Sequence, residues 1–119
     1  MIAQLKKDLH DPNILDLCSD IYYYIKPETK QSNQYIEYRI LKGVERNFAG
    51  NKNMTDLFYV QVDIFSKVSY KILAEKIKEV LKSKNYTLID AIDVIEIEEG
   101  IKYYHKTLRF KYSKFKGVI

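Results

Sequence analysis

Residues 86–112, YTLIDAIDVIEIEEGIKYYHKTLRFKY, hold two β-rich runs on either side of Glu99-Gly100, and this pattern limits the fold more than any other stretch. Glycine takes the positive φ that a tight hairpin needs, so the runs are expected to fold back on each other. Pairing Glu98 with Ile101 and counting outward sets Asp93 opposite Lys106, Asp90 opposite Arg109, Ile95 opposite Tyr104 and Ile89 opposite Phe110. Charges then meet opposite charges, and apolar groups meet apolar groups. Residues 90–99 hold five acids and no base, while 106–116 hold five bases and no acid, and facing strands explain the contrast. Lys111, Lys114 and Lys116 find no acids left to face, so residues 113–119 read as a basic tail.

The same periodicities place the other elements. Asp11 stands where an N-cap belongs and Pro12 at the first helical position. Ile14, Leu17, Cys18, Ile21 and Ile25 then recur at helical spacing until Pro27 stops the pattern, which puts Cys18 in the core. "QYIEYRILKGV" alternates Ile36, Tyr38 and Ile40 with Glu37 and Arg39, as a half-buried strand does. Residues 45–56, "ERNFAGNKNMTD", are polar and aperiodic and are expected to form a long loop. "LFYVQVDIFSK" carries Val60, Val62 and Ile64 on one side, with Tyr59, Gln61, Asp63 and Phe65 on the other. The second set is half polar and half aromatic, the composition of a wet or shared face. "SYKILAEKIKEVLKSKN" puts Tyr70, Leu73, Ile77, Val80 and Leu81 on one helical face, with Ser69 a candidate cap.

The expected order is therefore α-β-β-α-β-β: an α+β fold with a mostly antiparallel sheet of about four strands and two helices on one face. At 119 residues there is room for one core, so residues 1–119 are read as a single domain. Apolar residues make up 46% and charged residues 30%, too apolar for a disordered chain. One cysteine allows no internal disulfide and points to a reducing compartment. The N-terminus lacks the apolar core of a signal peptide and no apolar run approaches ~18 residues, so no membrane partner is expected.

Chemistry is sparse. His10 and His105 are the two histidines, and spacing nominates neither a nucleophile nor an orienting carboxylate for His105. Glu96, Glu98 and Glu99 lack calcium-loop spacing, and there is no phosphate loop or nucleophile elbow, so neither an enzyme nor a cofactor is expected. "YYHKTLRFKYSKFK" interleaves bases with aromatics, so a nucleic-acid-binding module with Lys111, Lys114 and Lys116 at phosphates is the alternative reading. One buried and one wet strand face produce the same alternation. The 11 tyrosines, against 5 phenylalanines, fit either a β-rich fold or a surface that a partner covers.

The proline-started helix, the long polar loop, "FYVQVDIFSK", the amphipathic helix and the closing "GIKYYHKTLRFKY" together resemble the tail terminator and tail-completion proteins of long-tailed bacteriophages. The likeness runs from about Pro12 to Tyr112. Residues Val60, Gln61, Val62, Asp63, Ile64 and Phe65 look like that family's "vqVdiw" strand, with Phe65 where tryptophan is frequent, and Tyr104-His105 precede the last alternating strand. The resemblance implies a ring, usually hexameric, on the head-proximal end of the tail tube. Such a ring stops tube growth and meets the head connector or neck protein, in the virion after assembly in the host cytoplasm. The expected assembly residues are Arg46, Phe48, Asn51 and Lys52 in the loop, with Tyr59, Gln61 and Asp63 on the strand.

Overall fold

A computed structural model describes residues 1–28, 33–47 and 53–118, the side chains of 44–47, 53–55, 98 and 115–118 excepted. Its elements are α1 (Ile2–Leu9), α2 (Pro12–Leu15), β1 (Ile21–Tyr23), β2 (Gln34–Asn47), β3 (Asn53–Ser66), α3 (Lys71–Ser83), β4 (Tyr86–Glu98) and β5 (Ile101–Val118). They form an α+β fold with one five-stranded sheet in the order β1-β2-β3-β5-β4, antiparallel except where β1 runs parallel to β2.

The hairpin expected about Glu99-Gly100 is present. Glu99 and Gly100 both have positive φ, 50° and 78°, the backbone of a two-residue turn whose twist matches that of its strands. Glu98↔Ile101, Ile95↔Tyr104, Asp93↔Lys106 and Asp90↔Arg109 all pair in the expected register. Beyond Asp90 a bulge takes up Ile89, so Leu88 and not Ile89 faces Phe110. One inserted residue shifts every later partner and turns Ile89 outward, 53% exposed.

Other expectations are corrected. The helix starting at Pro12, with the Asp11 carboxylate accepting from the Asn13 N–H at 2.9 Å, ends at Leu15, and Ile21–Tyr23 is a strand. Ile21 and Ile25 satisfy a helical spacing, but the intervening tyrosines favour the pleated surface and Ile21 docks beside Ile36. An unforeseen helix, α1, precedes it and buries Leu5 and Leu9, four apart. The loop of residues 45–56 is shorter than expected: Glu45, Arg46 and Asn47 pair with Asp56, Thr55 and Met54, because polar side chains do not prevent ladder hydrogen bonds. The basic tail at 113–119 is strand through Val118, paired with the start of β3. Ser69 does not cap α3; its N-cap is Tyr70, without a side-chain bond.

The three described helices pack on one sheet face. Leu5, Leu9 and Ile14 join Leu73, Ile77 and Leu81 of α3 against Ile36, Val60, Val62, Ile64, Leu108 and Phe110. Each such side chain contributes about 1.5–3 kcal/mol by leaving water. Cys18 belongs to this core as expected, although it lies beyond the helix whose spacing suggested it, and its thiol is pushed up by burial. One carboxylate is buried with them. Asp8 accepts from the Tyr86 hydroxyl at 2.7 Å and from Gln4 Nε2 at 3.0 Å, tying α1 to β4. The helix-bearing face thus explains the even-numbered residues of β3 and leaves the odd-numbered ones on the other side.

Candidate assembly surface on the uncovered sheet face

No described helix covers the second face, and the described start of the segment following β1 lies over its β2 corner. There the Lys26 N–H donates to Glu37 Oε2 at 2.6 Å, and the Tyr24 ring lies 5.9 Å from the Arg39 guanidinium. Strand alternation and register bring Tyr35, Glu37 and Arg39 of β2 beside Phe65, Asp63 and Gln61 of β3, then His105, Thr107 and Arg109 of β5. Asp90, Ile92, Val94 and Glu96 of β4 complete the rows.

Two kinds of contact hold these rows. Aromatic rings stack across three strands: Tyr35 on Phe65 with centroids 4.8 Å apart, and Phe65 on His105 at 4.1 Å. Beside them runs a polar chain. Asp63 Oδ1 accepts from Thr107 Oγ1 at 2.6 Å and from His105 Nε2 at 3.0 Å, while Asp63 Oδ2 accepts from Gln61 Nε2 at 2.8 Å. Gln61 Oε1 in turn accepts from Arg109 Nε at 3.0 Å, and Arg109 reaches Asp90 at 3.2 Å. The His105 Nδ1 faces Glu96 at 3.6 Å.

These contacts account for the burial of Gln61 and Asp63, only 4% and 7% exposed on a face without helices. Burial pushes the Asp63 carboxyl upward, and the hydrogen bonds from His105, Gln61 and Thr107 outweigh it, leaving the group below the ordinary carboxylate range. The hydrogen bond to Asp63 raises His105 above its usual value; burial opposes it, and the charges of Asp63 and Glu96 add to the rise. A protonated imidazole satisfies both carboxylates at once.

The arrangement differs from a Ser-His-Asp triad. In a triad the histidine accepts from the hydroxyl and donates through its other nitrogen to the carboxylate. Here the Thr107 hydroxyl donates to Asp63, and His105 Nε2 lies 3.0 Å from the same carboxylate oxygen and 3.3 Å from Thr107 Oγ1, so one ring nitrogen meets both groups where a triad uses two. Among the described residues no group of three His, Cys, Asp or Glu side chains could hold a metal ion.

Of the residues expected to form the site, Tyr59, Gln61 and Asp63 share this face. Arg46 lies in β2 opposite Thr55, with no description of its side chain, and Phe48, Asn51 and Lys52 lie outside the described residues. Lys111, beside Tyr59, is on the uncovered face, whereas Lys114 is on the other and stands opposite Asp56. The expectation that Lys114 faces no acid is thereby corrected, and the two lysines do not form one patch. Lys116 is in β5, its side chain not described. His105, Thr107, Arg109 and Glu96 were missed as members of the site. The signal for the first three was a polar residue at every second position of β5, matching Gln61 and Asp63 at the same spacing, and Glu96 of β4 had no such signal.

No protein-family model matches the chain, and no curated protein matches it in sequence. A solved structure does match in fold. It is a chain of the structure described as "Virion of native gene transfer agent (GTA) particle", with a TM-score of 0.53 at 8% identity, over 92% of this chain and 91% of that one. Such low identity transfers the path of the backbone and no residue's role.

Proposed function

We propose that this protein is a structural component of a phage-type virion, and that it caps the head-proximal end of a tail tube as a ring. It ends tube growth and offers the joining surface to a head connector or neck protein. The ring is a hexamer of this chain, and the subunit acts through shape and contact without turning over a substrate. Its place is the tail-neck region of the particle, reached after assembly in the host cytoplasm.

The observation that carries this reading is the fold match to a chain of a gene transfer agent virion, because it spans nearly the whole of both chains. Two features of the molecule support it. The subunit is elongated, 59 × 26 × 25 Å, and displays a wide sheet face that no described helix covers. On that face aromatic and polar groups alternate in a pre-ordered lattice, the composition of a surface that passes between water and a partner. In a cyclic ring each subunit shows its neighbours two different surfaces, so an uncovered face and free edges are what such assembly needs.

Adding the purified protein to polymerising tail-tube subunits tests the proposal. Tubes of arrested length with extra density at one end, seen by negative-stain microscopy, are expected. Tubes that lengthen unhindered and bear no added density would overturn it.

A further inference from the structure

The hairpin of β4 and β5 reaches past the rest of the sheet. β3 ends at Ser66, level with Tyr104, so residues 96–103 form an arm whose two strands pair only with each other. A two-stranded ribbon is marginal in water, and this one presents Ile97 at 73% exposure and Ile101 at 43%, with Ile95 at 60% at its base. Exposed apolar groups clustered at one tip of a subunit mark an interaction surface. The arm also carries Glu96, Glu98 and Glu99 against Lys102 alone, so it is acidic as well as apolar.

A groove of complementary character lies farther back on the same subunit. α3 packs over β3 and β5 and leaves the outer strand β4 uncovered at Leu88, 41% exposed. Between them runs a groove of about 350 Å³, floored by the buried Tyr86 and Phe110. Leu88 forms one wall, and Lys78 and Lys82, one turn apart on α3, form the other. Lys78 holds Glu75 at 3.1 Å, whereas Lys82 has no acidic partner among the described residues. Leu88 and Ile97 are separated by about 30 Å of strand at roughly 3.3 Å per residue, so the arm cannot fill the groove of its own chain.

We propose that the arm tip of one copy of this chain enters the groove between α3 and β4 of the next, with Ile97 and Ile101 against Leu88 and the arm glutamates beside Lys78 and Lys82. Charge selects this arrangement over two arms meeting, since each arm carries three glutamates and one lysine while the groove wall carries lysines. The contact uses different surfaces on the two partners, so it is heterologous and repeats from copy to copy until a ring closes. Rotation about a ring axis keeps every copy at one height. Arm and groove are then level with each other, and β4 lies across the axis rather than along it. The inference rests on the ring reading above and names the surfaces by which the ring closes.

The test combines mass with cross-linking. Lys82→Glu reverses the charge at the groove without touching the core, Lys76→Glu makes the same change elsewhere on α3, and circular dichroism verifies that both fold. At concentrations where the parent chain is a ring, light scattering is expected to give the mass of one subunit for Lys82→Glu and of a ring for Lys76→Glu. Separately, chains carrying Ile97→Cys and chains carrying Thr87→Cys, a position that also lines the groove, are treated with a short bismaleimide, singly and mixed, the buried Cys18 remaining unreactive. Cross-linked dimer in the mixture and none in either chain alone supports the proposal. Three results would overturn the contact and leave the ring reading standing: rings that survive Lys82→Glu, a dimer from Ile97→Cys alone, or a Thr87→Cys thiol that stays open to maleimide in the ring and is shielded only by added tube. A parent chain that is monomeric with and without tail tubes would overturn both.

Discussion

His105 Nε2 donates to Asp63 Oδ1 at 3.0 Å across the β3–β5 ladder, joining residues 42 positions apart on a sheet face that no described helix covers. The bond fixes how two long strands sit beside each other where side-chain packing from helices is lacking. Because both partners titrate, it also makes the lattice sensitive to pH.

A histidine whose folded-state pKa lies above 6.5 contributes stability that is complete below that value and fades as pH rises through the folded pKa. Asp63, held below 3.8, contributes stability that is complete above 3.8 and is lost as pH falls through its folded pKa. Both contributions are therefore full between pH 3.8 and 6.5. Urea midpoints from about pH 5 to about pH 9 are expected to decline at the alkaline end for the parent chain. In His105→Gln the decline flattens: the variant is the less stable protein at the acid end, and the gap narrows on raising the pH. A gap of constant size would show that the imidazole charge has no part.

Tyr86 ties the sheet to the first helix through Asp8. Its hydroxyl is held protonated by burial and by the bond to the carboxylate. Tyr86→Phe keeps the ring against Phe110 and Tyr112 but leaves Asp8 with Gln4 and a Lys84 ammonium 3.9 Å away. The expected cost is about 1–3 kcal/mol, the penalty for leaving a buried acceptor short of a donor. Chemical denaturation measures it, and the double variant with Asp8→Asn should cost less than the sum of the two single changes.

The turn between β4 and β5 offers a change in the opposite direction. Glu99 has φ +50°, a region that asparagine enters more readily than glutamate. Glu99→Asn is expected to stabilise the chain by about 0.5–1 kcal/mol, read as a higher thermal midpoint. Gly100→Ala, at φ +78°, should lower that midpoint by a comparable or larger amount.

The parts of the fold legible in the sequence were those fixed by neighbours along the chain. A two-residue turn sets a register by itself, so Asp93↔Lys106 and Asp90↔Arg109 followed from counting, until the bulge at Ile89 broke the count. Nothing in the spacing announces a bulge, because it costs one residue and leaves the alternation apparently intact. The β3–β5 pairing was out of reach for a different reason: the two strands are separated by α3 and β4, and many registers satisfy their alternation equally well. The polar chain from Asp90 to Glu96 depends on that pairing, so Gln61 and Asp63 could be placed on a distinct face but not given their partners. At the N-terminus, Ile21 and Ile25 fit both a helical stripe and a short strand, and docking beside Ile36 decided for the strand.

We propose that this subunit works by joining copies of itself. Sedimentation equilibrium of the purified chain, alone and with tail tubes, tests it most directly. A closed assembly is predicted, its mass a fixed whole multiple of the 14.1 kDa chain and six-fold when formed on the tube. A species of one chain mass at every concentration, with tubes as without them, would contradict it.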